Sequence, residues 1–247
     1  MDWHKRFVQQ AIWTKELRTY LFKRTGMETA GRVLEVGCGT GAILSDLTSH
    51  AAIHGLDLEP ARLREARRQV PQAHIICGDA HSLPYASGIF DITFCHFLLL
   101  WVRDPLQALS EMDRVTRPGG SLLALAEPDY YARVDKPDAL ATLGRWQAES
   151  LQQQGAQAGL GSRLAELFRL AGIPLIETGS LRLDPGRLPA PGEWELEWEV
   201  MEADLAGLVP MEQVQHMKRL DKQAWQRGER VLYVPTYFAW GQKAQMV

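Results

Sequence analysis

The chain has 247 residues, of which 46% are hydrophobic, and a formal net charge of −3. This length suits one α/β domain with an added segment, or at most two small domains, and the hydrophobic content excludes wholesale disorder. The sequence lacks a lysine–arginine block, so a nucleic-acid surface is not expected, and the longest apolar run, residues 97–102, is far too short to span a bilayer.

The first ten residues lack the apolar core of a signal peptide. The three cysteines are odd in number and widely spaced, without a CxxC pair, so they predict neither a disulfide framework nor a metal site. We therefore expect a cytoplasmic protein.

The amino-terminal part of the chain is predicted to be helical. From Trp3 to about Arg24, apolar residues recur at helical spacing, and Gly26 closes the stretch. Residues 1–26 are therefore predicted to form a helical lid, in which Trp13 and Tyr20 either cover a ligand or pack as ordinary core residues.

Residues 27–183 are predicted to form an α/β core. Strands are expected near residues 32–36, 52–57, 74–77, 90–95 and 121–126. Helices begin at Glu59-Pro60 and at Asp104-Pro105, where proline occupies the first helical turn. This alternation predicts a Rossmann-like, doubly wound, mostly parallel sheet of seven strands, once two later strands are counted.

The later part of the chain is predicted to add two helices and a strand to the core, then an insertion. A helix is expected at residues 138–154, a second one over residues 163–170 with Ser162 as its N-cap, and a strand at residues 174–183. Residues 184–230 form the predicted helical insertion, which is expected to cover the substrate. Its segment 194–200 reads WELEWEV and alternates like a strand, but helical spacing continues to Leu205, which favours a helix. A helix over residues 211–227 and a last core strand over residues 231–240 follow, in a segment 231–247.

A glycine loop follows the first predicted strand, where residues 33–41 read VLEVGCGTG. Gly37, Gly39 and Gly41 let the backbone turn sharply and approach a ligand closely. Residues 42–44 are predicted to begin a helix, which would place a ligand at a helix N-terminus. With Ala42 and Asp57, the loop also satisfies the fingerprint of a dinucleotide site.

The fuller string, E-x-G-x-G-x-G beginning at Glu35, resembles motif I of the class I S-adenosylmethionine-dependent methyltransferases. Four further segments resemble that family in the same order, namely GLDLEP (residues 55–60), CGDAHSLPY (77–85), FDITFCH (90–96) and RVTRPGGSLL (114–123). Together they resemble the methyltransferase-11 type domain, a group that includes quinone-biosynthesis C-methyltransferases. The resemblance implies S-adenosylmethionine as cofactor and a small-molecule methyl acceptor.

The resemblance also implies roles for residues at the strand ends. Glu35 would face the methionine amino group, Asp57 the ribose hydroxyls, and Asp79 the adenine amine, although each acid has a capping or turn role as its alternative. The backbone of Ala80, the side chain of Leu58 and the carbonyl of Cys95 would add contacts, and Cys38 would fill the loop. The full set of predicted cofactor contacts is Glu35, Gly37, Cys38, Gly39, Gly41, Asp57, Leu58, Asp79, Ala80, Cys95, Trp13 and Tyr20.

Two groups are candidates on the acceptor side. His96 ends the fourth strand, and a histidine there either removes a proton from the acceptor or packs as a structural group. The cluster Glu127, Asp129, Tyr130 and Tyr131 faces the same edge, or closes the core.

Three functions remain open at this point: a small-molecule methyltransferase, a nicotinamide-dependent oxidoreductase and a non-catalytic module that binds S-adenosylmethionine. Glu35, the GDA step at residues 78–80 and the RPGG turn are features that a dinucleotide site does not require.

Overall fold

The computed structural model describes residues 2–47, 51–181 and 192–245. Its helices are α1 (Trp3–Trp13), α2 (Lys15–Thr25), α3 (Pro60–Gln69), α4 (Pro105–Val115), α5 (Ala141–Gln153), α6 (Leu164–Leu170), α7 (Glu193–Leu205) and α8 (Met211–Gln226). Its strands are β1 (Arg32–Val36), β2 (Ala52–Asp57), β3 (His74–Cys77), β4 (Phe90–Cys95), β5 (Thr116–Pro128), β6 (Val134–Lys136), β7 (Leu175–Ser180), β8 (Val231–Tyr233) and β9 (Thr236–Gln242).

Seven strands form the central sheet in the order β3-β2-β1-β4-β5-β9-β7. The strands from β3 to β5 are parallel, whereas β9 runs antiparallel to both of its neighbours. This confirms the predicted Rossmann-like sheet. The order reverses between β1 and β4, and ligands of open α/β sheets bind at such a switch point, beyond the carboxyl ends of the strands.

Helices cover both faces of the sheet because its strands bury side chains on both sides. Leu34 of β1 belongs to the cluster that α4 and α6 cover, and the adjacent Val33 belongs to the cluster under α2 and α3. A third cluster packs α7 and α8 against α5 through residues such as Trp198 and Leu143. The predicted helices of the insertion are thus confirmed, while residues 182–191 lie outside the described ranges.

The amino-terminal helix is broken where one continuous helix was expected. Thr14 separates α1 from α2 with a φ of −104° and a ψ of 4°. Its hydroxyl bonds with the carbonyls of Gln10 and Ala11 and with the His96 ring. A side-chain hydroxyl that competes for backbone groups in this way favours a helix end.

The predicted helix after the glycine loop is wrong for the residues described. The chain there forms only a short 3₁₀ turn, Leu44–Asp46. Ala42, Ile43 and Leu44 are all buried, so this segment packs into the core on every side instead of exposing a polar helical face.

The last predicted strand is two strands. Pro235 lies between β8 and β9, and it cannot donate a ladder hydrogen bond. β8 lies outside the central sheet and pairs with β6, which was not predicted.

Ser162 is not the N-cap that the sequence predicts, since α6 begins at Leu164 and the Ser162 hydroxyl donates to the Gly159 carbonyl. Over the described ranges, every helix is too short or too polar to cross a bilayer.

Candidate active site

A cavity of about 670 Å³ opens at the carboxyl ends of β1, β2 and β4. We call it the cofactor cavity. It brings together most of the residues predicted from the sequence, namely Glu35, Gly37, Cys38, Gly39, Asp57, Leu58, Asp79, Ala80 and His96.

The glycine loop is packed tightly by the protein itself. Gly37 and Gly39 have φ angles of 76° and 52°, which disfavour any side chain. A Cβ on Gly37 would lie 2.7 Å from the Leu98 side chain, and one on Gly39 would lie 2.9 Å from the Phe7 ring. Helix α1, which carries Phe7, therefore lies directly over the loop.

Glu35 is a buried acid with one carboxylate oxygen, Oε2, that has no hydrogen-bond partner among the described residues. Its side chain is in the cavity wall, and the residue is 2% exposed. Burial raises the pKa of this carboxyl to about 8, with Arg18 opposing the rise and Asp57 adding to it. A carboxylate in this position would be strongly stabilised by a cation in the cavity.

Asp57 fixes the glycine loop to the end of β2. Its Oδ2 accepts a hydrogen bond from the Gly39 amide and its Oδ1 accepts one from the Glu59 amide, both at 2.9 Å. Glu59 is the N-cap of α3, so Asp57 does not have the capping role that was its alternative. Each carboxylate oxygen retains a lone pair that can accept a further hydrogen bond.

Asp79 is held in place by a residue that the sequence did not single out as an anchor. Its Oδ1 accepts hydrogen bonds from the His81 amide at 2.9 Å and from the His81 Nδ1 at 2.6 Å. The His81 Nε2 accepts from the Asp104 amide, so the Nδ1 carries the proton. The His81 hydrogen bonds lower the pKa of Asp79, and its Oδ2 has no partner among the described residues.

His96 lies in the cavity wall, 2.9 Å from the hydroxyl of Thr14. Burial, with a smaller contribution from Arg18, lowers the pKa of its imidazole to about 3. The ring is therefore neutral at physiological pH but is a weak proton acceptor, which disfavours a role as general base. The adjacent Phe97 has a φ of 51°, a strained conformation for a side-chain-bearing residue, and it also lines the cavity.

The remaining predicted residues lie outside this cavity. Gly41 packs against α3, and the Cys95 side chain is fully buried in the core. Tyr20 is exposed and donates to Glu177 of β7, so the structure does not bring it to the cavity. Trp13 instead lines a neighbouring cavity.

The acidic–aromatic cluster after β5 divides into structural and cavity residues. Glu127 is buried and accepts hydrogen bonds from the amides of Leu98, Leu99 and Leu100. Asp129 accepts from the amides of residues 131 and 132, and Tyr131 is exposed. Only Tyr130 lies on the cavity wall.

A second cavity of about 310 Å³ adjoins the first. Arg6, Phe97, Tyr130 and Gln147 line both. The second cavity lies between α1, the insertion helices and β8, and its aromatic lining is Trp13, Phe97, Tyr130, Trp194, Trp198, Trp225 and Tyr233. The sequence grouped some of these aromatics by helical spacing, but it gave no signal that α1 and α7 would meet.

The strand ends, the glycine loop and the acids of the cofactor cavity coincide with a known family profile. Residues 34–124 match the Methyltransf_11 profile, described as a methyltransferase domain. We refer to this matched stretch, which is less than half of the chain, as the methyltransferase domain. It spans β1 to β5 and contains Glu35, the glycine loop, Asp57 and Asp79.

Relatives of this methyltransferase domain include two enzymes of known name. A malonyl-[acyl-carrier protein] O-methyltransferase of Halorhodospira halophila is 33% identical over 127 residues, which are 48% of this chain and 43% of that protein. A demethylmenaquinone methyltransferase of Renibacterium salmoninarum is 37% identical over 112 residues, or 44% of this chain and 47% of that protein. The matches thus span less than half the length of these relatives.

The fold extends beyond the methyltransferase domain. The structure of a putative sarcosine dimethylglycine methyltransferase from Galdieria sulphuraria matches with a TM-score of 0.63 and 16% identity. That match covers 96% of this chain and 88% of the other. At this identity the similarity concerns the fold, whereas the activity depends on the site.

Proposed function

We propose that the protein is an S-adenosylmethionine-dependent methyltransferase that acts on a small-molecule acceptor. The observation that carries this proposal is Glu35, a buried carboxyl in the wall of the cofactor cavity whose Oε2 has no hydrogen-bond partner among the described residues, within the stretch that matches a methyltransferase domain. The amino acid part of S-adenosylmethionine carries an ammonium group, a cation that would stabilise the ionised form of this buried carboxyl.

The other residues of the cavity fit the rest of the cofactor. The free lone pairs of Asp57 suit two ribose hydroxyls, and the unpaired Oδ2 of Asp79 suits an exocyclic amine. Leu58, 69% exposed at the rim, offers an apolar surface for a base. The carbonyl of Cys95 and the ring of Trp13 remain predicted contacts.

When bound, S-adenosylmethionine supplies a methyl group that its sulfonium makes electrophilic. The work of the protein is therefore to align the acceptor and to exclude water. Phe7 and Trp3 of α1 lie over the glycine loop and the cavity, which supports a role for α1 in excluding water. A strong general base is not part of this mechanism, because the imidazole of His96 is only weakly basic.

The two alternative functions are less well supported. A nicotinamide-dependent oxidoreductase does not explain the match of residues 34–124 to a methyltransferase profile. A non-catalytic module does not explain why a second cavity adjoins the cofactor cavity.

The thiols Cys38, Cys77 and Cys95 are all free, which supports a reducing compartment such as the cytoplasm.

Calorimetric titration of the protein with S-adenosylhomocysteine and with NAD⁺ tests the proposal. We expect saturable binding of S-adenosylhomocysteine and none of NAD⁺. Tight binding of NAD⁺ with no heat from S-adenosylhomocysteine would reject it in favour of the oxidoreductase.

A further inference from the structure

We infer that the second cavity binds the methyl acceptor, and that it selects an uncharged aromatic ring with a hydrogen-bonding substituent. The inference rests on the proposed function, since it assigns the acceptor side of the same site. Arg6, Phe97, Tyr130 and Gln147 line both cavities, so a ring in the second cavity lies next to the cofactor cavity.

The aromatic walls of the second cavity are fixed in orientation. The indole N–H of Trp13 donates to Glu193 at 2.7 Å. The indoles of Trp194 and Trp198 both donate to the Oδ2 of Asp221, at 2.6 and 2.9 Å. Rings whose edges are held in this way form rigid apolar walls, which favour a flat aromatic ligand at little cost in side-chain entropy.

The cations of the second cavity are already paired, which disfavours an anionic acceptor. Arg133 binds both oxygens of Asp135, and Arg230 bridges Asp135 and Asp221. The side chains of these four residues are at most 5% exposed. Arg6, in turn, is paired with Glu197 of α7. A carboxylate or phosphate would have to break one of these pairs to obtain a charged partner.

A cationic acceptor is disfavoured because the chain places its own cations on the ring faces. The Arg6 guanidinium lies 4.9 Å from the centre of the Trp13 ring. The Lys218 ammonium lies 5.7 and 5.8 Å from the Trp194 and Trp198 rings, and that of Lys222 lies 5.3 Å from Trp194. Arg6 lines the second cavity and would repel another positive charge there, whereas Lys218 and Lys222 lie outside the lining and occupy the rings through the cation–π contact alone.

Two polar groups of the second cavity remain available to a neutral substituent. The indole N–H of Trp225 and the hydroxyl of Tyr130 have no hydrogen-bond partner within the described ranges, and both residues line the cavity. Tyr130 also lines the cofactor cavity, so it can orient a substituent near the junction of the two. The volume, about 310 Å³, lies at the lower end of the range of small-molecule sites, roughly 300–1,000 Å³, and suits one or two rings.

The test compares three probes that share one ring system: naphthol, naphthoate and naphthylmethyl-trimethylammonium. Their affinities are measured by calorimetry on protein saturated with S-adenosylhomocysteine. We expect naphthol to bind at least tenfold more tightly than either charged probe. Equal or tighter binding of a charged probe, or no binding of naphthol, would overturn the inference.

Variants of Trp225 test whether naphthol binds in the second cavity. Trp225 is in the last turn of α8 and half-buried, so both Trp225→Phe and Trp225→Ala are expected to fold. Loss of the indole hydrogen bond in Trp225→Phe should weaken naphthol binding roughly two- to tenfold, and Trp225→Ala should weaken it further. Trp146 lies outside the lining of both cavities, so Trp146→Phe is the matched control and should leave the affinity for naphthol unchanged.

The affinity for S-adenosylhomocysteine separates this inference from the proposed function. It should be the same in the wild type and in all three variants. If the wild type fails to bind S-adenosylhomocysteine, the proposed function is wrong. If it binds S-adenosylhomocysteine normally and naphthol binding is insensitive to Trp225, the second cavity is not the site of the ring.

Discussion

Glu35 illustrates how one buried side chain couples protonation to ligand binding. Burial raises its pKa to about 8, so the carboxyl is mostly protonated at pH 7 in the ligand-free protein. An ammonium group beside it favours the ionised form and lowers that pKa. We therefore expect S-adenosylhomocysteine to release up to one proton on binding near pH 7. Calorimetry in two buffers of different ionisation enthalpy measures this number directly.

The matched variant is Glu35→Gln, which preserves shape but cannot ionise. It should bind S-adenosylhomocysteine more weakly and release no proton. Proton release of the same size in this variant would show that another group titrates, and would remove Glu35 from the ammonium site.

The two nucleotide-side acids are expected to differ in their contributions. Asp57 is buried and faces the proposed ribose with both oxygens, whereas Asp79 is exposed and offers one. Hydrogen bonds to charged groups contribute about 1.5–3 kcal/mol each, so the loss of two of them in Asp57→Ala should weaken S-adenosylhomocysteine binding by roughly a hundredfold or more. Asp79→Ala should weaken it less. Because Asp57 also holds the Gly39 amide, circular dichroism must first show that the Asp57 variant is folded.

Helices α1 and α7 contact each other across the second cavity. Arg6 pairs with Glu197, and Trp13 donates to Glu193, so each helix is anchored on the other across the second cavity. We expect amide exchange in residues 3–13 and 193–205 to slow when S-adenosylhomocysteine binds, because α1 lies directly over the glycine loop. Slowing confined to the loop, Asp57 and Asp79 would mean that these helices are ordinary packing.

The Arg6–Glu197 pair supplies a test at the same scale that needs no ligand. Arg6→Met and Glu197→Gln, singly and together, form a double-mutant cycle for the free energy of unfolding. Since Arg6 is buried and Glu197 is half-buried, we expect a coupling energy on the order of 1 kcal/mol. The corresponding cycle for the exposed pair Lys5–Asp2 is the control and should give a coupling near zero.

The stability of the whole molecule should depend on pH through its buried acids. Burial raises the pKa of Glu127 to about 7, beside that of Glu35 at about 8. Unfolding returns both to ordinary values near 4.5, so the folded state binds more protons between about pH 5 and 8. Below about pH 6.5 the imidazole of His96, whose pKa burial lowers from 6.5 to about 3, has the opposite effect, so the free energy of unfolding should fall most clearly as the pH rises above about 6.5.

Urea denaturation of the ligand-free protein at pH 6, 7 and 8 measures this dependence. Glu35→Gln should flatten the slope, since it removes one of the two groups. An unfolding free energy that is constant or rises with pH, in both proteins, would contradict the assignment of raised pKa values to these acids.

The sequence by itself determined the parallel part of the central sheet, strands β1 to β5. Alternating apolar strands and helices, each marked by its own local signals, specify β1 to β5 because such signals depend on neighbours in the chain. The glycine loop, Asp57 and Asp79 could be predicted as site residues for the same reason, since the residues of each motif adjoin the end of one strand.

Only the tertiary structure decided the protonation of the site and the form of the second cavity. The sequence makes His96 a candidate base, but burial beside Thr14 lowers the pKa of its imidazole, and this burial depends on helix α1, which is far away in sequence. The break at Pro235 sends β8 to pair with β6, and the paired arginines of the second cavity join residues nearly a hundred positions apart. Such contacts produce no periodic pattern in the sequence, because they arise from packing between helices and strands and not from the local preferences of any single element.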